Sequence, residues 1–191
     1  MNVALRRNVT VAEFLAWEER QELRYEFDGF QPVAMVGGTA AHSAIARNLI
    51  FLLTGALRGR PCQPYGGGLK IEVAGRIRYP DAFVVCTPVP ARSKLVLDPV
   101  VVFEILREST RHEYLVVKNA EYRATPSIQR YVILQQTDAG ATVFSRKGED
   151  WVAYMATGDG AVLRLPEIGV EIPLADLYAD VELRPGEDAS A

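Results

Sequence analysis

Apolar and polar positions change period several times along the chain, and each change predicts an element. Thr10 precedes a helically spaced stretch with Glu13 three residues on, a capping-box spacing that predicts a helix to about Trp17. Alternation from Arg24 to Val36 predicts an extended hairpin turning at Asp28-Gly29. Between Ala40 and Leu57 the residues Ile45, Leu49, Leu52, Leu53 and Ala56 fall on one face, which predicts a long helix ending near Gly59.

The period then becomes two. Leu69 to Val73 reads as a strand, Ala74-Gly75 turns it into Arg76 to Cys86, and Pro80-Asp81 stands just ahead of the apolar run Ala82-Phe83-Val84-Val85. A proline-bearing loop leads to Pro99 through Leu106, whose unbroken apolar character predicts a central strand buried on both faces. Ser109-Thr110 can cap a helix from about Glu113 to Ala124, which Pro126 stops. Strands are expected at Gln129 to Gln135, Ala141 to Ser145 and Trp151 to Met155, with short strands between Val162 and Ile172 and a helical turn at Leu174 to Tyr178. The fold class is α/β (α+β).

Composition narrows this further. A chain of 191 residues suits one buried core, so a single domain over 9–180 is expected, with flexible ends at 1–8 and 181–191. At 49% hydrophobic and 24% charged, the chain has the composition of a folded protein. No signal peptide is legible behind Arg6-Arg7, and no apolar stretch suggests a membrane span. Cys62 and Cys86 lack metal-site spacing and read as free thiols of a reducing, cytoplasmic compartment. A net charge of −3 argues against a protein that coats nucleic acid, but it leaves room for a local basic rim on an acidic metal enzyme. Lys70, Arg76, Arg78, Arg107, Arg111 and Arg123 are candidates for that rim, with an ordinary solvated surface as the alternative for each.

The most informative residue is Glu104, because a carboxylate inside an apolar strand costs several kcal/mol unless it is paired or bound to metal. Asp81 opens the preceding strand, where neighbouring strand ends can bring two carboxylates to one cation. Oxygen donors of this kind suit Mg²⁺, with Mn²⁺ as a substitute, and they fit phosphodiester hydrolysis. Lys118 on the next helix can fold back over the strand end to orient water or neutralise developing charge. The alternative is that Asp81 caps a turn, Glu104 forms a structural ion pair with Lys118 or an arginine, and no reaction occurs.

The chain resembles the Uma-type restriction endonucleases, a bacterial family within the PD-(D/E)xK nuclease superfamily, from about Thr10 to Tyr178. The matching pieces, in order, are Tyr25-Glu26-Phe27-Asp28-Gly29 and His42; Arg78-Tyr79-Pro80-Asp81; Val102-Phe103-Glu104-Ile105-Leu106 with Ser109-Thr110-Arg111; Lys118 and Tyr122; and Thr157-Gly158-Asp159-Gly160. The resemblance implies a restriction-endonuclease-like core, a mixed sheet flanked by helices, with Asp81 and Glu104 as metal ligands. It also implies a lysine moved from position 106, here Leu106, to Lys118 on the following helix.

Glu26 matches an early acidic position that can complete the metal shell, with an exposed hairpin carboxylate as the alternative. His42, Arg78 and Arg111 are candidates for substrate contact, and His42 could instead serve as a cap. Tyr122 could fix the rotamer of Lys118 or simply fill the core. The chain departs from the family at Arg107-Glu108, where Ser-Pro is usual, and at Tyr114, where an Asp is usual. The expected function is a metal-dependent DNA endonuclease acting as a homodimer. The rival is an inactive nuclease-fold module that binds nucleic acid or a protein partner.

Overall fold

A six-stranded sheet in the order β11-β10-β9-β8-β6-β3 organises the molecule, and a second sheet of five strands, β2-β1-β5-β4-β7, lies beside it. The computed structural model describes residues 9–35, 37–106, 113–158 and 160–183. In chain order the elements are α1 (Val11–Glu18), β1 (Tyr25–Phe27), β2 (Pro32–Ala34), α2 (Ala40–Leu57), β3 (Gln63–Gly66), β4 (Lys70–Val73), β5 (Arg76–Arg78), β6 (Ala82–Val85), β7 (Leu95–Val96) and β8 (Val101–Ile105). A π-helical stretch, Glu113–Lys118, runs into α3 (Asn119–Ala124). Then follow β9 (Arg130–Leu134), β10 (Gly140–Lys147), β11 (Asp150–Thr157), β12 (Val162–Leu165), β13 (Val170–Pro173) and α4 (Leu174–Leu177).

β8 shows why Glu104 lies where it does. Successive strand side chains alternate between faces. Val101, Phe103 and Ile105 therefore join the cluster under α2, which includes Ile45, Leu49, Leu53 and the inner residues of β12, β13 and α4. Val102 faces the opposite cluster, with Tyr122, Tyr131, Ile133 and the β4 residues Ile71 and Val73. Glu104 follows the Val102 parity, towards α3 and the second sheet. β8 and β9 pair in parallel through the helical crossover, with Glu104 opposite Ile133, whereas β6 pairs antiparallel to β8 with Ala82 opposite Phe103. One further step of that register sets Asp81 opposite Glu104.

The helix ends follow their local chemistry. Thr10 Oγ accepts the Glu13 amide at 3.2 Å while Glu13 returns to the Thr10 amide at 3.0 Å, a complete capping box. Asp28 Oδ1 accepts the amides of Phe30 and Gln31, which closes the β1-β2 turn. The helix expected over Glu113 to Ala124 is π-wound in its first half, which changes the angular spacing of its side chains and delivers Lys118 to the junction.

Three features correct the expectations from sequence. β3 was not expected, because Pro64 and Gly66 disguise it; it is an edge strand, where a proline costs no ladder bond. Pairing of Gln63 with Val85 brings the flanking cysteines opposite each other, and Cys62 and Cys86 form a disulfide instead of standing as free thiols. Finally, α2 is long and apolar enough to meet the length criterion for crossing a bilayer, though its Ile45, Leu49, Leu53 and Leu57 row is buried within the protein.

Candidate active site

Four elements bring charged side chains to the end of β8. Glu104 is 1% exposed, and Oε1 of its carboxylate accepts both Lys118 Nζ at 2.9 Å and the Tyr122 hydroxyl at 2.7 Å. Among the described residues, no hydrogen bond reaches Oε2 of Glu104. Lys118, 4% exposed, also donates to Glu26 Oε1 at 3.2 Å, so its ammonium lies between two carboxylates.

β1 and β5 hold Glu26. Phe27 pairs with Ile77, and one step along that register sets Glu26 against Arg78. Arg78 Nη1 donates to Glu26 Oε2 at 3.0 Å, and the Tyr79 amide donates to Oε1 at 3.0 Å. Arg78 then forks onto Glu121, Nε to Oε2 at 2.7 Å and Nη2 to Oε1 at 2.6 Å. Arg76 Nε also reaches Glu121, at 3.0 Å.

Asp81 Oδ2 accepts the backbone amide of Ile105 at 2.8 Å, which ties the start of β6 to the residue after Glu104. Its Oδ1 lies 3.0 Å from His42 Nε2, but the imidazole N–H is not aligned on it and Nε2 completes no hydrogen bond, so we read this as proximity without a bond. Two glycines make these approaches possible. A Cβ on Gly38 would stand 2.8 Å from His42 Nδ1, and one on Gly67 would meet the Pro80 carbonyl at 3.4 Å.

Charges in this site are unbalanced in a specific way. Arg78 and Arg76 answer Glu121, Arg78 also reaches Glu26, and Glu104 and Glu26 share the single ammonium of Lys118. Burial, the largest influence, pushes the Glu104 carboxyl up to about 7; Asp81 and Glu26 add to this, while Lys118 and the Tyr122 hydroxyl oppose it. Glu26 goes the other way. Burial raises it, but Lys118, Arg78 and the Tyr79 amide together outweigh burial and hold it below the usual carboxylate range. Tyr122, fully buried beside Glu104, is held protonated well above the ordinary phenol range.

The candidate residues separate clearly. Asp81, Glu104, Lys118 and Glu26 converge, and His42 joins them through Asp81. Arg111, like Arg107 and Glu108, lies outside the described residues, as does the side chain of Tyr114. Arg78 is 2% exposed with its guanidinium turned inward, so its assignment as a substrate contact is corrected to an internal ion pair. Arg78→Ala is expected to destabilise the protein by about 3–5 kcal/mol in urea unfolding, because two buried carboxylates lose their shared partner.

The rim is smaller than expected. Lys70 is buried against Glu18, whose other oxygen accepts the Tyr79 hydroxyl at 2.6 Å. Arg123 lies over the Trp151 ring. An exposed cation not singled out in the sequence, Arg24, donates to the Gly67 carbonyl at 3.0 Å, beside Pro80-Asp81. Gln136 was also missed. Its Oε1 accepts the hydroxyl of Thr39, the α2 cap, at 2.7 Å, and its Nε2 donates to the Leu106 carbonyl at 2.7 Å, joining the His42 helix to the end of β8.

Two hard carboxylates facing across a strand pair, one with an oxygen that accepts no hydrogen bond among the described residues, form a donor set that fits Mg²⁺. The imidazole nitrogen without a hydrogen bond adds a polar group at the same place. Among the described residues, no group of three or more His, Cys, Asp or Glu side chains encloses a metal position. A cation here would therefore draw most of its shell from water and substrate.

Comparison with known proteins agrees with this architecture. A crystal structure of a "putative nuclease belonging to DUF820" from Anabaena variabilis superposes with a TM-score of 0.73 over 89% of this chain and 97% of that one. At 16% identity it establishes a shared fold. Two uncharacterized Synechocystis proteins are similar in sequence: slr1290, 30% identical over 87% of this chain and 89% of its own, and sll1609, 24% identical over 84% and 94%. Residues 11–175 match the model of Uma2, described as "Putative restriction endonuclease", and the chain belongs to that family.

Proposed function

We propose that the protein is a metal-dependent endonuclease that hydrolyses phosphodiester bonds in DNA. Asp81 and Glu104 would hold Mg²⁺, or Mn²⁺ in its place, and the bound cation would supply Lewis-acid polarisation of the phosphate and neutralise charge there. Lys118 keeps a proton at Nζ beside Glu104, where it can orient a water molecule or answer charge developing on the phosphate. Glu26 holds that ammonium in place, and the Tyr122 hydroxyl holds the Glu104 carboxylate by Oε1, the oxygen that also takes the Lys118 bond. Arg24 offers a surface charge to a neighbouring phosphate.

One observation carries the reading. Glu104 is a buried carboxylate opposite Asp81 whose hydrogen bonds, among the described residues, all end on a single oxygen. The rival reading, a nuclease-fold module that binds without cutting, draws on the Lys118–Glu104 ion pair, which already gives the carboxylate a partner.

Cleavage of both strands of a duplex would use a homodimer, since two-fold protein symmetry matches that of the substrate. The edge strand β11 supports this, because Val152, Tyr154 and Met155 lie exposed on it and an apolar edge invites strand pairing. The test is nicking of supercoiled plasmid by chelator-treated protein of mass determined by sedimentation. Nicking restored by Mg²⁺ or Mn²⁺ is expected, from a species of twice the chain mass. No nicking with either metal would sink the endonuclease reading, and a strictly monomeric mass would remove the dimer.

A further inference from the structure

Lys118, Glu121 and Tyr122 occupy i, i+3 and i+4 positions, so one face of the helix carries all three inward. Lys118 bonds Glu26, Glu26 bonds Arg78, and Arg78 returns in a bidentate fork to Glu121 on the same helix. This is a closed circuit between α3 and the β1-β5 pair. Every member is buried, and the two cations balance two of the carboxylates. A guanidinium gripped by two parallel bonds has little freedom to turn, so its remaining Nη1 bond fixes the carboxylate of Glu26.

We propose that Glu121 is a positioning residue for the reaction: through Arg78 it sets Glu26, and through Glu26 it sets where the Lys118 ammonium stands against Glu104. This rests on the endonuclease reading for its consequence in cleavage, but not for its geometry. Glu121 touches neither Glu104 nor the place assigned to substrate. Arg76, itself partly exposed, meets the same Oε1 that Arg78 Nη2 holds and lends it further charge. If Glu121 loses its charge, Arg78 keeps one carboxylate, Glu26, and swings towards it. That pull competes with Lys118 for Glu26 and releases the ammonium from its midpoint.

The experiment compares wild type, Glu121→Gln and Glu121→Asp. The ¹⁵N signal of Lys118 Nζ, assigned by its loss in Lys118→Arg, is read on metal-free protein, where no cutting is involved. Nicking rates are then measured against pH and substrate concentration. Glu121→Gln is expected to move the Lys118 signal and speed its hydrogen exchange. It should lower kcat roughly 10- to 100-fold with KM nearly unchanged, as misplacement of a reacting group does. It should also displace the pH profile, and Glu121→Asp should restore part of each effect.

A lowered Tm with the Lys118 signal and pH profile both unmoved would overturn the proposal and leave Glu121 a structural ion-pair member. If Glu121→Gln does not fold, Glu121→Asp, which keeps the charge but shortens the reach to Arg78, is read alone against wild type, and the same Lys118 signal decides the question. A moved Lys118 signal in a protein that never cuts would keep the positioning and remove only the endonuclease reading.

Discussion

Glu104→Ala is expected to abolish nicking and metal binding together while leaving the protein folded. The loss of rate should exceed the roughly 10–100-fold typical of residues that merely support metal ligands. The fold should survive because the Glu104 carboxyl, pushed up to about 7 by burial, contributes little as a charge. The sign can be worked through. A carboxyl raised in the folded state contributes stability that is complete below its ordinary value, 4.5, and is lost as pH rises through about 7. The loss is on the order of 3 kcal/mol at the ceiling. Glu104→Gln removes that titration, so its stability profile should be flatter across this window, and relative to wild type it should gain stability above it. Urea midpoints measured at several pH values check this. Metal must also displace the proton from Glu104, so metal affinity should rise with pH up to about 7, at most roughly tenfold per unit.

Lys118→Met is expected to separate cutting from metal binding. Nicking should fall roughly 10²–10⁴-fold, the range for loss of a positioned proton-bearing group. Metal affinity should hold or increase, because the ammonium 2.9 Å from Glu104 repels an incoming cation. Stability should fall as well. Glu26 and Glu104 lose a shared partner, a change on the order of 3–5 kcal/mol for a broken buried pair, softened where Glu104 takes up a proton. Glu26 brings its own pH signature. Its carboxyl lies below the usual range, so its contribution is present above its ordinary pKa and fades as pH falls through the lowered value, a window distinct from that of Glu104. Calorimetry and urea unfolding on one preparation read both effects.

How much of this could be read from the chain depends on how local the cause was. The α1 capping box, the Asp28 turn and the whole of α2 are set by residues within a few positions of one another, and all are legible. β8 is legible for the same reason, since a strand buried on both faces has no polar residue to spare, and Glu104 stands out against it. Asp81, Glu104, Lys118 and Glu26 do converge, as the motif order implied.

What escaped depends on partners far away in sequence. Arg78 reads as a surface cation because nothing near it in the chain announces Glu26 and Glu121, which lie 52 and 43 residues off. Lys70 fails for the same reason, its partner Glu18 being 52 residues away. The Cys62–Cys86 bond needs β3, and β3 is masked by Pro64 and the glycines after it. Gln136 had no signal at all, because a turn glutamine becomes informative only once Thr39 and the Leu106 carbonyl are known to flank it. The π-helical winding before α3 is equally invisible to a 3.6-residue pattern, yet it brings Lys118 to the junction.

Calorimetric titration of Mn²⁺ into chelator-treated wild type and Glu104→Ala, with plasmid nicking measured on the same samples, tests the central claim most directly. The account predicts binding and nicking in wild type and the loss of both in a folded Glu104→Ala variant. A variant that binds metal and nicks plasmid as wild type does would contradict it.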